Sequence, residues 1–461
     1  MPTLKLGNNS LLTLPTRITT PSIHIQKDGD HWYVPLFSGS KGAVVQSGDY
    51  NYTLGGLNVG IYRAAISREA MVGEEVVDIY VFVSDSATWI LTTKGELYGC
   101  GRNSRGNQGS GDNANVLTFT KRAENVKTVS CSEETTWYID NNNNLYGCGD
   151  NNSGQQGSGN ILQVNTFTKR AENVKTVICS NETTWYIDNN NNLYGCGDND
   201  YGKQGSGNTL TVTTFTKRAE NVREVSCTDQ TTWYIDNNNN LYGCGRGDAG
   251  QQGSGASGSS ANVLTFTKRA SNVKKFSCSR HTTWYIDNNN NLYGCGHGDA
   301  GRQGSGGYAN VLTFTKRAEN VREVSCSGFT TWYIDKNNNL YGCGAGGCQG
   351  SGDTSDVLTF TKRAENVKTV SCSYYTTWYI DNNNNLYGCG DNGHGQQGSG
   401  NTLTVTTFTK RAENVKEVSC TDYTTWYMDN NNNFYGCGDN GYGKQGSGNT
   451  SNILVFTKIE L

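Results

Sequence analysis

In NVKTVSCS, residues 125–132, Val and Cys alternate with Lys, Thr and Ser. That period of two predicts a half-buried β-strand. TTWYID (135–140) alternates as well and is rich in β-branched and aromatic residues, which suit a pleated surface. NLYGCG (144–149) is short and apolar, and LTFTKRA (117–123) alternates again. These stretches predict four short strands, here called A to D in the order given, and no helix.

The same phrases return along the chain. TTWYIDNNNNLYGCG begins at Thr135, Thr183, Thr231, Thr282 and Thr376, and with small edits at Thr330 and Thr424. The tryptophans that open it are Trp89, Trp137, Trp185, Trp233, Trp284, Trp332, Trp378 and Trp426. FTK recurs once per period, from Phe119 to Phe456. Eight periods of about 48 residues therefore run from residue 78 to residue 461. Four short strands per period, repeated around a circle, predict an all-β fold: a β-propeller of eight four-stranded repeats, with seven blades as the alternative. Residues 1–77 show no repeat. HWYVPLFSG, YNYTLGG and GIYRAAIS there read as short strands of a small β-rich module that caps the propeller or attaches it to something else.

Between strands B and C lies DNNNN, and the first period has Gly95 where the second has Asn143. Gly and Asn tolerate positive φ best, so this is a tight hairpin turn. D-x-N-x-N also resembles the start of a calcium loop, but the later Gly and the bidentate Glu are missing. No metal site is expected.

The repeat that follows strand C carries a family resemblance. Gly149-Asp-Asn151-Asn-Ser-Gly154-Gln155-Gln-Gly157-Ser-Gly159, with the strands before it, resembles the repeat of the regulator of chromosome condensation family. The likeness recurs in every period and covers about 380 residues. It implies a propeller. Family members include a nucleotide exchange factor for a small GTPase, a plant UV photoreceptor and interaction scaffolds. Typical members have seven blades, so no partner-contact residue is carried over from them.

The periods differ from one another in two places. One is the pair between strands A and B: Glu133-Glu134, Asn181-Glu182, Asp229-Gln230, Arg280-His281, Gly328-Phe329, Tyr374-Tyr375 and Asp422-Tyr423. The other follows strand C and contributes Tyr201, His394 and Tyr442. The other two links, DNNNN and KRAEN, barely change. In an up-and-down blade the A–B and C–D links share one face. Tyr, Asp, Asn, Ser and Gly, with an occasional Phe, His or Arg, is a recognition-loop composition. The expected ligand-binding residues are therefore Glu133, Glu134, Tyr201, Asp229, Gln230, Arg280, His281, Phe329, Tyr374, Tyr375, His394, Asp422, Tyr423 and Tyr442. The Lys-Arg pairs on the other face, such as Lys169-Arg170, are followed within two residues by a Glu, except where Ser271 replaces it, which predicts a self-neutralised rim.

Composition narrows the class. Net charge is −3, which argues against nucleic acid as a partner. No apolar run reaches the roughly 18 residues of a membrane helix, and no signal-peptide core is visible. The 16 cysteines fall mainly in strands A and C, which strand B separates. Second-neighbour strands lie about 10 Å apart, beyond disulfide reach, so free buried thiols are expected. None of the five histidines has a Ser or Cys and an acid recurring around it, and no enzyme or cofactor is expected. The leading expectation is a virion or surface adhesin, extracellular or virion-associated. Its variable face would bind a host glycan or protein, and its N-terminal module other virion or surface proteins. The alternative is a cytoplasmic interaction or exchange-factor-like scaffold.

Overall fold

The computed structural model describes residues 79–459, together with five short strands nearer the N-terminus. By its contacts the chain divides into two units, Met1–Asp78 and Ile79–Leu461. In the first, Thr3–Leu6 pairs antiparallel with Ser10–Thr13. Gln26–Asp28, His31–Val34 and Ala43–Gln46 form a three-stranded antiparallel sheet. The expected strands in YNYTLGG and GIYRAAIS lie outside the described residues.

The second unit is eight four-stranded antiparallel sheets, each made of strands consecutive in sequence. Blade 1 comprises Ile79–Val83, Ala87–Thr92, Leu97–Gly101 and Val116–Ala123; blade 8 ends the chain with Ile453–Ile459. Blade 2 illustrates the plan: A is Val126–Cys131, B is Thr135–Asp140, C is Leu145–Gly149 and D is Val164–Ala171. Strand B is buried throughout. Strand D is half-buried to exposed and forms the outer edge. The only helical pieces among the described residues are four three-residue 3-10 turns in the C–D loops, such as Asp200–Gly202. They arise where i→i+3 bonds, such as Gly202 N–H to Asn199 O at 2.9 Å, tighten the loop.

The core lies between blades rather than within them. Trp137, Ile139 and Leu145 of blade 2 pack against Val174, Val177 and Tyr186 of blade 3. Each Leu or Ile buried in this way contributes about 1.5–3 kcal/mol. A Cβ on Gly147 would lie 2.4 Å from the Trp137 ring, so the first glycine of YGCG is the space the indole occupies. Phe215, one blade further on, meets the same indole edge-on at 5.8 Å. The eighth interface closes the ring: Trp426 and Phe434 of blade 8 pack with Ile90 of blade 1.

Asn143 sits at φ 61°, as the hairpin reading requires. The Asp140 carboxylate accepts the backbone N–H groups of Asn142 (2.9 Å) and Asn144 (2.8 Å) and the Asn144 amide (2.8 Å). It therefore holds the turn together. KRAEN also ends on a left-handed residue, Asn125 at φ 61°. Asn125 O accepts Asn141 N–H, and Val174 N–H of the next blade donates to Asn143 O, both at 2.9 Å. The two constant links are stitched together by backbone geometry. Their constancy has a structural cause and says nothing about whether the opposite face is selected for binding.

The rim differs from the expectation in one half of each Lys-Arg pair. Lys169 pairs with Glu172 at 2.6 Å, as do its counterparts Lys217 with Glu220 and Lys410 with Glu413. Arg170 does not join them, and its Nε is buried without a hydrogen-bond partner.

All 16 cysteines are free. Those of strand C and Cys348 are buried, nine in all, whereas the seven of strand A are half-buried and border the central cavity. Cys179, Cys326 and Cys372 contact serines of the preceding blade: Ser130 (3.4 Å), Ser277 (3.2 Å) and Ser325 (3.2 Å). Desolvation pushes these thiols up, to about 12 at Cys372 and about 11 at Cys420. The native chain is therefore expected to take up at most seven equivalents of a small maleimide, slowly and faster as pH rises. The denatured chain should take up 16. Intact-mass counting checks both numbers, and more than seven native adducts would contradict the burial assignment.

Candidate functional site

The A–B loops of all eight blades meet at the axis. They border a cavity of about 440 Å³ whose lining includes Asp85, Glu133, Asp229, Arg280, Gly328, Tyr374 and Asp422. A second cavity brings A–B residues Glu182 and Asp229 together with C–D residues Asp198 and Tyr201, so the two variable links do share a face.

The loops are also braced from blade to blade. Glu133 N–H donates to Asn181 Oδ1 (3.2 Å), Tyr374 N–H to Asp422 Oδ1 (3.1 Å) and Asp422 N–H to Asp85 Oδ1 (3.1 Å). One C–D position sends a side chain to the A–B loop of the next blade. Gln155 donates to Asn181 O (3.2 Å), Lys203 to Asp229 O (2.7 Å) and Lys444 to Asp85 O (2.5 Å). Arg302 reaches Gly328 O in the same manner. Part of the variation between blades is thus a choice among clips.

The aromatic residues form a continuous patch across blades 6, 7 and 8. Phe329 meets Tyr374 edge-on at 5.5 Å and Tyr375 at 6.2 Å. Tyr375 lies 6.4 Å from Tyr423, and Tyr423 meets His394 at 4.9 Å. Tyr375 is 39% exposed and Tyr423 37%. Tyr374 instead lies half-buried over the channel mouth: a Cβ on Gly328 would fall 2.0 Å from its ring. Tyr442 and Tyr201 stand outside this patch, beneath Arg102 (5.5 Å) and Arg246 (5.3 Å). Tyr201 takes φ 62°, uncommon for a bulky side chain.

Charge is divided around the mouth. Blade 5 contributes Arg280, His281, His297 and Arg302, and the two imidazoles lie 5.7 Å apart. Burial and the neighbouring guanidinium of Arg302 push His281 down to about 4, so it is neutral at pH 7. Asp85, Glu133 and Asp422 gather on the opposite side, in blades 1, 2 and 8. Glu134 lies 3.9 Å from both Arg102 and Arg105. The roles of Asp85, Arg246 and Arg302 were missed from sequence. Asp85 lies in the diverged first period, and the two arginines sit at loop positions whose side chains vary among the blades.

Burial, and then Asp85 beside it, pushes the Asp422 carboxyl up to about 6. In an unfolded chain an Asp titrates near 3.9. The folded state holds this proton more tightly, so the contribution favours folding below about pH 4 and is lost as pH rises through about 6. Asp422→Asn keeps an acceptor for Tyr374 N–H and removes the repulsion. It is expected to stabilise the chain at pH 7 by about 1 kcal/mol, allowing for solvent screening, and to flatten unfolding free energy between pH 4 and 6. An unchanged slope in urea titrations would contradict this.

The sequence model of the regulator of chromosome condensation (RCC1) repeat matches residues 126–155 and 367–396, strand A through the C–D loop of blades 2 and 7. The chain carries RCC1-like repeats. Among solved structures, this RCC1-like chain is similar to Prp20p from Saccharomyces cerevisiae. The TM-score is 0.54 at 14% identity, covering 83% of this chain and 88% of that one. Yeast RCC1 (Prp20) in complex with Kap60 gives 0.54 and 14%, covering 84% of each chain. Human WBSCR16 gives 0.54 and 15%, covering 67% of this chain and 88% of that one. At these identities the likeness concerns the fold. A search of curated protein sequences found no significant match.

Proposed function

We propose that this RCC1-like propeller is a non-enzymatic interaction scaffold that binds a protein partner through its variable face. The observation that carries the reading is the aromatic patch from Phe329 to Tyr423, continuous over three adjacent blades and exposed at Tyr375 and Tyr423. Grouped aromatic anchors are what an interface hot spot requires. The structural neighbours support a protein as the occupant: Prp20p is described with its binding to Gsp1p and histones, and yeast RCC1 as bound by Kap60. This favours the interaction-scaffold alternative over a virion or surface adhesin, for which the comparisons offer no support. The reading is tested by measuring partner capture with the patch intact and with it removed. The constant face, altered at Lys169 and Arg170, serves as control. Capture that survives loss of the patch and falls with the control would place the binding surface on the other face.

A further inference from the structure

On the variable face a cavity of about 270 Å³ opens between blades 3, 4 and 5, bordered by Glu182, Asp200, Tyr201, Asp229, Gln230 and Arg280. Lys203 also borders it and is already committed. Its ammonium donates to Glu182 Oε2 (3.1 Å) and Asp229 O (2.7 Å) and pairs with Asp198 Oδ2 at 2.5 Å. Gln230 is only 4% exposed, and its Oε1 has no hydrogen-bond partner. The unpaired indole Nε1 and the unpaired Oε1 of the Gln just before Gly-Ser recur from blade to blade, whereas Gln230 Oε1 belongs to blade 4 alone. Asp200 and Asp229 make no ion pair within 4.0 Å among the described residues.

The wall therefore presents acceptors. It sets four carboxylates (Glu182, Asp198, Asp200, Asp229) against two cations (Lys203, Arg280), a formal balance of −2. Negative charge is in excess, and the Lys203 ammonium is already taken up by its own partners. A neutral saccharide could donate its hydroxyls to these acceptors but would bring no positive charge to offset the carboxylates. A guanidinium supplies five N–H donors in one plane and is less strongly hydrated than an ammonium. The lip of the cavity already holds such a group: the Arg246 guanidinium lies over the Tyr201 ring at 5.3 Å.

We infer that this cavity is a receptor for an arginine side chain presented by the protein partner. Gln230 Oε1 and the Asp200 and Asp229 carboxylates accept its N–H groups. Arg280 at the rim opposes the bound charge. The inference rests on the proposal that this face binds protein, but the cavity can be assayed without any partner. The experiment is ligand-observed saturation-transfer NMR on the full chain, with N-acetyl-L-arginine amide as probe. N-acetyl-L-lysine amide and methyl α-D-mannoside serve as comparisons. Saturable binding of the arginine probe is expected, weakened at least about tenfold in Gln230→Leu, which loses an acceptor for a charged donor. Arg280→Gln, at an exposed site, is expected to tighten binding several-fold, a change that a misfolded chain cannot mimic. No saturable binding, an equal response to the lysine probe, or preference for the mannoside would each overturn the inference. If the probe fails while the aromatic patch still captures a protein, the arginine receptor is wrong and the scaffold reading stands.

Discussion

Replacing Lys444 with Met is expected to destabilise the propeller by about 3–5 kcal/mol, whereas Lys444→Gln should cost no more than about 1 kcal/mol. Lys444 is 1% exposed and lies at the ring closure, where blade 8 meets blade 1. Its ammonium pairs with Asp439 Oδ2 at 2.8 Å and donates to Asp85 O of blade 1 at 2.5 Å. Blade 1 returns one bond to this stretch, Cys100 Sγ to Lys444 O at 3.2 Å. Methionine fills the same volume but leaves the Asp439 carboxylate without its cation and Asp85 O without that donor. Glutamine is what the repeat itself uses elsewhere. Gln155 reaches Asp150 Oδ2 at 2.8 Å and Asn181 O at 3.2 Å, the same two kinds of acceptor. Urea unfolding followed by tryptophan fluorescence measures both variants. Equal losses for Met and Gln would show that the position is a space-filler and not a clip.

That contrast marks what the sequence could and could not disclose. The strands were legible because their residues alternate in polarity or are β-branched and aromatic, and because the phrases return in every blade, although strand B is buried on both sides. The Asn-rich hairpins were legible because positive φ selects Asn and Gly, whatever lies nearby. The shared face of the two variable links follows from up-and-down topology alone. The clip at Lys444, Gln155 and Arg302 was not legible. Each of these side chains reaches a backbone carbonyl in the next blade, some 26 residues away or across the ring closure. Spacing along one period carries no trace of such a contact. The cause of KRAEN's constancy was hidden for the same reason: Val174, just after the KRAEN of residues 169–173, donates to Asn143 O in the hairpin of the preceding blade. Gly328 shows the remaining blind spot. Beside Phe329 it reads as a small loop residue, yet its missing Cβ is the seat of the Tyr374 ring. The structure brings Phe329, Tyr374, Tyr375 and Tyr423 together, and nothing in the sequence separates the exposed Tyr375 and Tyr423 from the half-buried Tyr374.

Tyr375→Ala with Tyr423→Ala is expected to weaken partner binding by a factor of several hundred while the chain stays folded. These two rings are 6.4 Å apart, in adjacent blades, and are among the most exposed aromatics of the patch. An aromatic anchor at the centre of an interface carries about 2 kcal/mol, or roughly thirty-fold in affinity, and neighbouring anchors fall short of full additivity. Tyr374 is the less suitable target, although the sequence singles it out equally. It is half-buried over Gly328, its N–H is held by Asp422 and its ring meets Phe329, so removing it disturbs the loop as well as the surface. His394 supports Tyr423 from the adjoining C–D loop at 4.9 Å, so a single Tyr423→Ala change also frees that ring. The double variant and a Lys169→Ala, Arg170→Ala control should be compared by surface plasmon resonance against the captured partner, with circular dichroism to confirm folding. Strong loss in the tyrosine variant and little change in the control is the expected outcome. Because anchors of this kind act mainly after encounter, the loss should fall on the dissociation rate, with association nearly unchanged. A loss confined to association, with the bound lifetime intact, would show that the patch steers the partner without holding it.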